Sequence, residues 1–154
     1  MKLVGKHIDR EVYYFDLESE LEYIKNFNNW ILLFICNSFL DEKYISNVFK
    51  TCIKYGVLEF RAQGKRGDWL DLQFCLAKVD LEIEKHTDYD ISSGSGDNSI
   101  NLESAIWECF YASVLPSRAD WENIKIFCTT SDKVDYLKKI QNILDKIKSG
   151  WIPE

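Results

Sequence analysis

The chain has 154 residues, a formal net charge of −6, 46% hydrophobic residues and 14% aromatic ones. A chain of this length buries roughly 70% of the surface it exposes when unfolded, so a single domain is expected, with no need for a disulfide or metal staple. The acidic balance argues against general binding to nucleic acid or to an anionic membrane, because phosphate recognition wants clustered Lys and Arg; it suits solubility or a basic partner.

The first residues, Met1-Lys2-Leu3-Val4-Gly5-Lys6-His7, do not read as a signal peptide, because charge recurs before any apolar stretch of useful length. Val12-Tyr13-Tyr14-Phe15 is rich in strand formers and is expected as a short edge strand. Ser19, with Glu22 three residues on, makes a capping box for a helix from Glu20 to about Asn28 that presents Leu21, Ile24 and Phe27. Trp30 to Cys36 is a continuous apolar run. It is far short of the ~20 residues a membrane span needs, and its lack of alternation suits a central parallel strand covered on both faces. A cytoplasmic protein is expected.

Asp41 opens an amphipathic helix carrying Tyr44, Ile45, Val48, Phe49, Cys52 and Ile53, which Gly56 is placed to end. Val57-Leu58-Glu59-Phe60 is the next strand and Gly64-Lys65-Arg66-Gly67 a loop. Asp68 is expected to cap a long helix carrying Trp69, Leu72, Phe74, Cys75, Leu76, Val79 and Ile83. Tyr89-Asp90-Ile91-Ser92 is a candidate strand, and Ser93 to Asn98 a flexible loop by composition. Asn101 caps a helix with Leu102, Ala105, Ile106, Cys109 and Phe110 that ends near Leu115. Ile124 to Thr129 is a strand. Ser131 or Asp132 is expected to cap the last helix, with Val134, Leu137, Ile140, Ile143, Leu144 and Ile147 inward. Gly150 closes it, and Trp151 is expected to fold back on the body. This alternation predicts a single doubly wound α/β domain, Rossmann-like or flavodoxin-like, with three layers, a mostly parallel sheet of four or five strands and about five helices.

The five cysteines, Cys36, Cys52, Cys75, Cys109 and Cys128, are odd in number, widely spaced and set in apolar runs. They read as reduced core thiols, and with no Cys-x-x-Cys pair a structural zinc is not expected. The turn after the first core strand, Cys36 to Asp41, lacks the glycines of a dinucleotide fingerprint, and no phosphate-binding Gly-x-x-x-x-Gly-Lys-Ser/Thr occurs. Ser93-Gly94-Ser95-Gly96 resembles a phosphate cradle in composition alone. Neither His7 nor His86 stands near a Ser or Cys in a nucleophile arrangement. Cys36 is the one nucleophile candidate by position, with no arginine or glycine cradle after it. A phospho-receiver would need acids after the first core strand, an Asp after a middle strand and a Lys after the last. The chain has Asn37-Ser38, Arg61-Ala62 and Thr129-Thr130 there. No catalytic set, cofactor or metal is therefore expected.

Charge is instead unevenly spread. From Asp80 to Glu108 there are eight acids (Asp80, Glu82, Glu84, Asp88, Asp90, Asp97, Glu103 and Glu108) and one base, Lys85, a net −7 that leaves +1 for the rest. Tyr89 lies among these acids. Acid-plus-aromatic surfaces suit an interface with a basic protein, since aromatics anchor and charges steer. Glu84, Asp88, Tyr89, Asp90, Asp97 and Glu103 are the candidate partner-binding residues. The acids match no calcium loop.

Two resemblances follow. The Trp30–Cys36 strand, the entry Tyr55-Gly56-Val57-Leu58 and the helix opening Asp68-Trp69-Leu70-Asp71 look like a family of small bacterial α/β proteins, over roughly residues 28–130; that likeness implies no activity, and the Ser/Gly loop departs from it. The small, acidic, motif-poor type also resembles the immunity proteins that neutralise bacterial contact-dependent or polymorphic toxins. That likeness implies an antitoxin whose acidic surface blocks a basic toxin domain such as a nuclease, and it carries no residue assignments. The alternatives are a nucleotide- or anion-binding enzyme using Arg61, Lys65, Arg66 and Thr129, and a scaffold or oligomerisation module.

Overall fold

The structure, a computed structural model, describes residues 1–95 and 101–154. Strands β1 (Lys2–His7) and β2 (Arg10–Tyr14) form a hairpin closed by Ile8 and Asp9, both at positive φ, 42° and 64°. Two left-handed residues in succession are what a two-residue type I′ turn requires, because its twist matches that of the strands it joins. β1, unforeseen in the sequence, takes the sheet edge expected for β2. Lys2, Lys6 and a register shift between Leu3 and Gly5 make that edge a poor template for further pairing. Ile8 is β-branched, and such residues are strained at positive φ. Replacing the turn by the favoured pair, Ile8→Asn with Asp9→Gly, is expected to stabilise the protein by about 1–2 kcal/mol. The measurement is a higher urea midpoint at unchanged slope.

The expected helix at 20–28 is instead a short α-helix, α1 (Leu17–Glu20), followed by a 3-10 helix, Leu21–Asn26. Asp16, rather than Ser19, is the cap. Its carboxylate accepts from the Ser19 amide at 3.0 Å and the Ser19 hydroxyl at 2.5 Å. Strand β3 (Trp30–Ile35) is buried at every position. Helix α2 (Glu42–Lys54) starts at Asp41, whose carboxylate accepts from the Tyr44 amide at 2.9 Å. Gly56 (φ 90°) follows; a Cβ there would meet the Asn28 backbone at 2.8 Å, so the residue answers both to conformation and to space.

Strand β4 (Val57–Gln63) leads to helix α3 (Gly67–Lys85), capped at its far end by His86 in the left-handed region. Asp68 falls inside the first turn of α3 and takes a hydrogen bond from the Ser95 hydroxyl, so it does not cap. Strand β5 (Ser92–Ser95) occupies part of the stretch expected to be a flexible loop. Helix α4 (Leu102–Tyr111) is capped by Asn101 as expected, at 2.9 Å from the Ser104 amide, and ends at Tyr111 rather than near Leu115. Strand β6 (Lys125–Thr130) precedes α5 (Leu137–Lys148), which begins later than expected and has no side-chain cap; Asp132 accepts from Asn37 and Tyr136 instead.

Among the described residues the sheet has six strands in the order β1-β2-β6-β3-β4-β5, one more than the upper expectation, all parallel except β1. β3, β4 and β5 step outward through α2 and α3. The chain then returns across β3 to place β6 beside it. Alternate residues of β3 feed two cores. Trp30, Leu32 and Phe34 join α2 and α3 with Phe15, Phe49, Phe60, Phe74 and Phe127; Ile31, Leu33 and Ile35 join α4 and α5 with Ile106, Ile126, Ile140 and Leu144. The result is a three-layer, doubly wound domain with one aromatic and one aliphatic core. Trp151 packs on the aliphatic side. Cys36, Cys52, Cys109 and Cys128 are buried; Cys75, expected in the core, is exposed on α3. No helix among the described residues is long and apolar enough to cross a membrane.

Candidate functional site

In open α/β sheets ligands gather at the carboxyl ends of adjacent strands whose connections diverge. Here those strands are β3 and β6, followed by α2 on one face and α5 on the other. Their crevice is occupied by the protein's own side chains. The Asn37 amide and side chain donate to Asp132 at 3.1 and 2.6 Å, and the Tyr136 hydroxyl donates to the same carboxylate at 3.0 Å. The Asn37 side-chain oxygen accepts from the Lys65 amide at 2.9 Å, which draws the loop after β4 over the end of β3. Gly64 (φ 102°) makes that approach feasible, since a Cβ would meet the Cys36 carbonyl at 2.5 Å. Burial pushes the Cys36 thiol up from its ordinary value, against the opposing influence of Ser131 and the Ser38 carbonyl. A fully buried thiol held protonated is a poor nucleophile.

The four residues of the anion-binding alternative do not converge. Arg61, expected in the turn after β4, lies within the strand and points under α4. Its Nε bonds Glu59, Nη1 bonds Glu108 at 2.5 Å and Nη2 donates to the Ala112 carbonyl at 2.6 Å. Thr129 is fully buried, its hydroxyl given to the Phe15 carbonyl at 2.9 Å. Arg66 lies 3.9 Å over the Phe39 ring, leaving Lys65 alone at the loop surface. The Glu59 carboxylate also accepts from the Val114 amide. Burial raises the Glu59 carboxyl above its ordinary range, opposed by Arg61, the Val114 amide and Arg10. Beside this cluster is a recess of about 190 Å³ between β4, β5 and α4. Its charged groups, Glu59, Arg61 and Glu108, are satisfied by one another, which is the arrangement of a structural network. Among the described residues no three His, Cys, Asp or Glu side chains cluster as metal ligands would.

The acidic segment divides between the two outer layers. Glu84, Asp88 and Asp90 are exposed at the end of α3 and in the turn after it. Glu84 has only its neighbour Lys85, at 3.8 Å. Among the described residues Asp88 and Asp90 make no ion pair within 4 Å, although Asp90 lies near enough to Arg118 to raise its pKa against the dominant effect of burial. Tyr89 is half-buried, packs on the aromatic core and donates its amide to Glu82 at 2.9 Å. Glu103 belongs to the other layer, on α4, where it pairs with Lys146 of α5 at 3.0 Å. Glu108 pairs inward with Arg61, and Asp80 with Lys50 of α2 at 3.6 Å. Asp97 lies outside the described residues. The structure therefore brings together Glu84, Asp88, Tyr89 and Asp90 and sets Glu103 apart.

No family model matches the chain. No curated protein is similar to it in sequence.

What sequence reasoning missed lies next to that acidic end. Leu72, Leu76, Val79 and Ile83, expected on the buried side of α3, are 54%, 51%, 48% and 68% exposed. The buried stripe is Leu70, Phe74, Ala77 and Leu81. Helical rotation puts the two stripes on opposite sides. The signal was present as two interleaved runs with the same 4-3-4 spacing, one starting at Leu70 and one at Leu72.

Proposed function

We propose that this chain is a binding protein of the immunity type, which docks on a basic protein, such as a toxin domain, and neutralises it by covering its cationic active surface. The observation that carries the reading is the acidic end of α3. There Glu84, Asp88 and Asp90 stand exposed around Ile83 and Tyr89, with Lys85 the one base in the run 82–90. Such a shelf steers a cationic protein in and leaves apolar area at its centre to be dried on contact. Charge pairing elsewhere supports the division of labour. Of the acids from Asp80 to Glu108, Asp80, Glu103 and Glu108 are ion-paired to other elements of the fold, so among the described residues those left over lie at the end of α3 and in the turn after it.

The test begins with capture from the native cell on the tagged chain and identification of what is retained. The retained protein is then expressed alone and with this chain. Growth arrest by the captured protein, relieved by the wild-type chain, is expected. The variant Glu84→Lys, Asp88→Lys, Asp90→Lys should bind at least about tenfold more weakly and fail to rescue. Wild-type affinity should itself fall as salt is raised from about 0.1 to 1 M, which shortens the screening length from about 10 to 3 Å. Full rescue by the reversed variant would remove the assignment.

A further inference from the structure

The second apolar stripe of α3 calls for an occupant. α2 and α5 each direct their apolar residues inward, and their outer faces are polar; α3 alone is apolar on opposite sides. Its outward residues Leu72, Leu76, Val79 and Ile83 follow the 4-3-4 spacing of a helix–helix seam, narrow and straight along the helix. Phe39, exposed and edge-on to Trp69 at 5.2 Å, lengthens the strip at the start of α3. Contiguous apolar strips rimmed by polar residues mark interaction surfaces on soluble domains.

The rim says what fits. The positions directly beside the seam that reach the surface are Cys75, Asp80 and Glu82, with Lys78 and Lys85 on the sides away from it. Asp80 is paired with Lys50 of α2 and Arg66 covers Phe39 at the far end, so among the described residues the acids left without a strong ion pair lie at the Ile83 end, as Glu82, Glu84, Asp88 and Asp90. Residues in those flanking positions select the partner of a paired helix. A second copy of this chain laid with like ends together would set acids against acids there. A helix with apolar residues at the same spacing and Lys or Arg beside them would set bases against Glu82, and its end would reach Glu84, Asp88 and Asp90. We infer that the outer face of α3 is the docking seam for an amphipathic helix of a basic partner, laid lengthwise along Leu72, Leu76, Val79 and Ile83. The inference rests on the reading of this chain as a binder of a basic protein and names the mode of contact.

The probe is a synthetic two-heptad peptide with Leu at the seam positions and Lys at the flanking ones, paired with a control in which Glu replaces each Lys. Binding is followed by Trp69 fluorescence and backbone amide shifts. The Lys peptide is expected to bind at least tenfold more tightly than the Glu peptide, with shifts concentrated at residues 72–83. The variant Leu72→Gln, Leu76→Gln, Val79→Thr, Ile83→Gln keeps every charge and changes only exposed positions. It should fold normally and lose at least tenfold in affinity. Equal binding by this variant, or by the two peptides, would overturn the seam. So would a wild-type dimer in sedimentation that the variant converts to monomer, since the occupant would then be a second copy. With a captured partner the two claims separate. If charge reversal at Glu84, Asp88 and Asp90 weakens binding and the stripe variant does not, the seam fails and the basic-partner reading stands. If the stripe matters to the peptide while reversal leaves the partner bound, the reading fails and the seam stands.

Discussion

Arg61→Met is expected to destabilise the protein by about 3–5 kcal/mol, because it strips a buried carboxylate of its counter-charge. Glu59 is 3% exposed, and Arg61 is the guanidinium bonded to it; Arg10, the other cation near it, spends its hydrogen bonds on the Cys109 carbonyl at 2.5 Å and the Ser113 hydroxyl at 2.9 Å. Without Arg61 the Glu59 carboxyl must either stay charged in a dry site or take up a proton, and both are unfavourable at neutral pH. For a chain of this size each kcal/mol moves Tm by about 2–4 °C, so a loss of roughly 6–20 °C is expected by thermal denaturation. The double variant Glu59→Gln, Arg61→Met should regain most of it, since Gln still accepts from the Val114 amide but brings no charge. Glu108, half-exposed, can be solvated once freed. A single variant as stable as wild type would mean that the pair is not a structural strut. The recess beside it would then have to be reconsidered as a place where charge is held for a ligand.

The central frame could be read from the residues, because its signals are local. WILLFI has no polar position and needs cover on both faces, which β3 has; Asp41 and Asn101 precede α2 and α4 and cap them. The elements that were missed depend on partners distant in sequence. β5 is Ser-Ser-Gly-Ser, with no strand propensity to speak of. It is a strand because β4 offers it a ladder, and because Ser95 and Ser93 reach Asp68 and Cys75 on α3. α5 starts late because Asp132 is held by Asn37, ninety-five residues away, and is not free to cap.

The same limit applied to the site. The acids from Asp80 to Glu108 are neighbours along the chain, yet the chain crosses from one face of the sheet to the other between Tyr89 and Glu103. A run of charge therefore became an exposed group at the end of α3 and two ion-paired residues on α4. Conversely, the apolar seam of α3 was visible as residues but not as a surface. An apolar stripe facing solvent and one facing a core have the same spacing, and only the position of the helix over the sheet decides between them.

Phe127→Ala should be the most damaging single truncation in the aromatic core, at about 3–5 kcal/mol. The ring sits on β6, between β2 and β3. Its centroid is 5.0 Å from Phe27, 5.1 Å from Trp30, 5.5 Å from Tyr13 and 6.3 Å from Phe15, mostly in edge-to-face arrangements. It thus ties the hairpin, the segment after α1 and the central strand to one another. Removing it leaves a cavity walled by rigid rings that cannot easily collapse, on top of lost ring pairs worth about 0.5–1.5 kcal/mol each. Phe127→Leu keeps most of the volume and should cost less than about 1.5 kcal/mol. Urea denaturation checks both, with the slope unchanged if the unfolding remains two-state. A cost for Phe127→Ala below about 1 kcal/mol would mean that this cluster is loosely packed. Because the ring lies beneath Phe15 and Phe27 and away from the outer side of α3, the truncated protein should still bind the Lys-flanked peptide normally below its Tm. That separates loss of fold from loss of the docking face, and it makes Phe127→Ala the fitting control for the stripe variant, whose expected defect is the reverse.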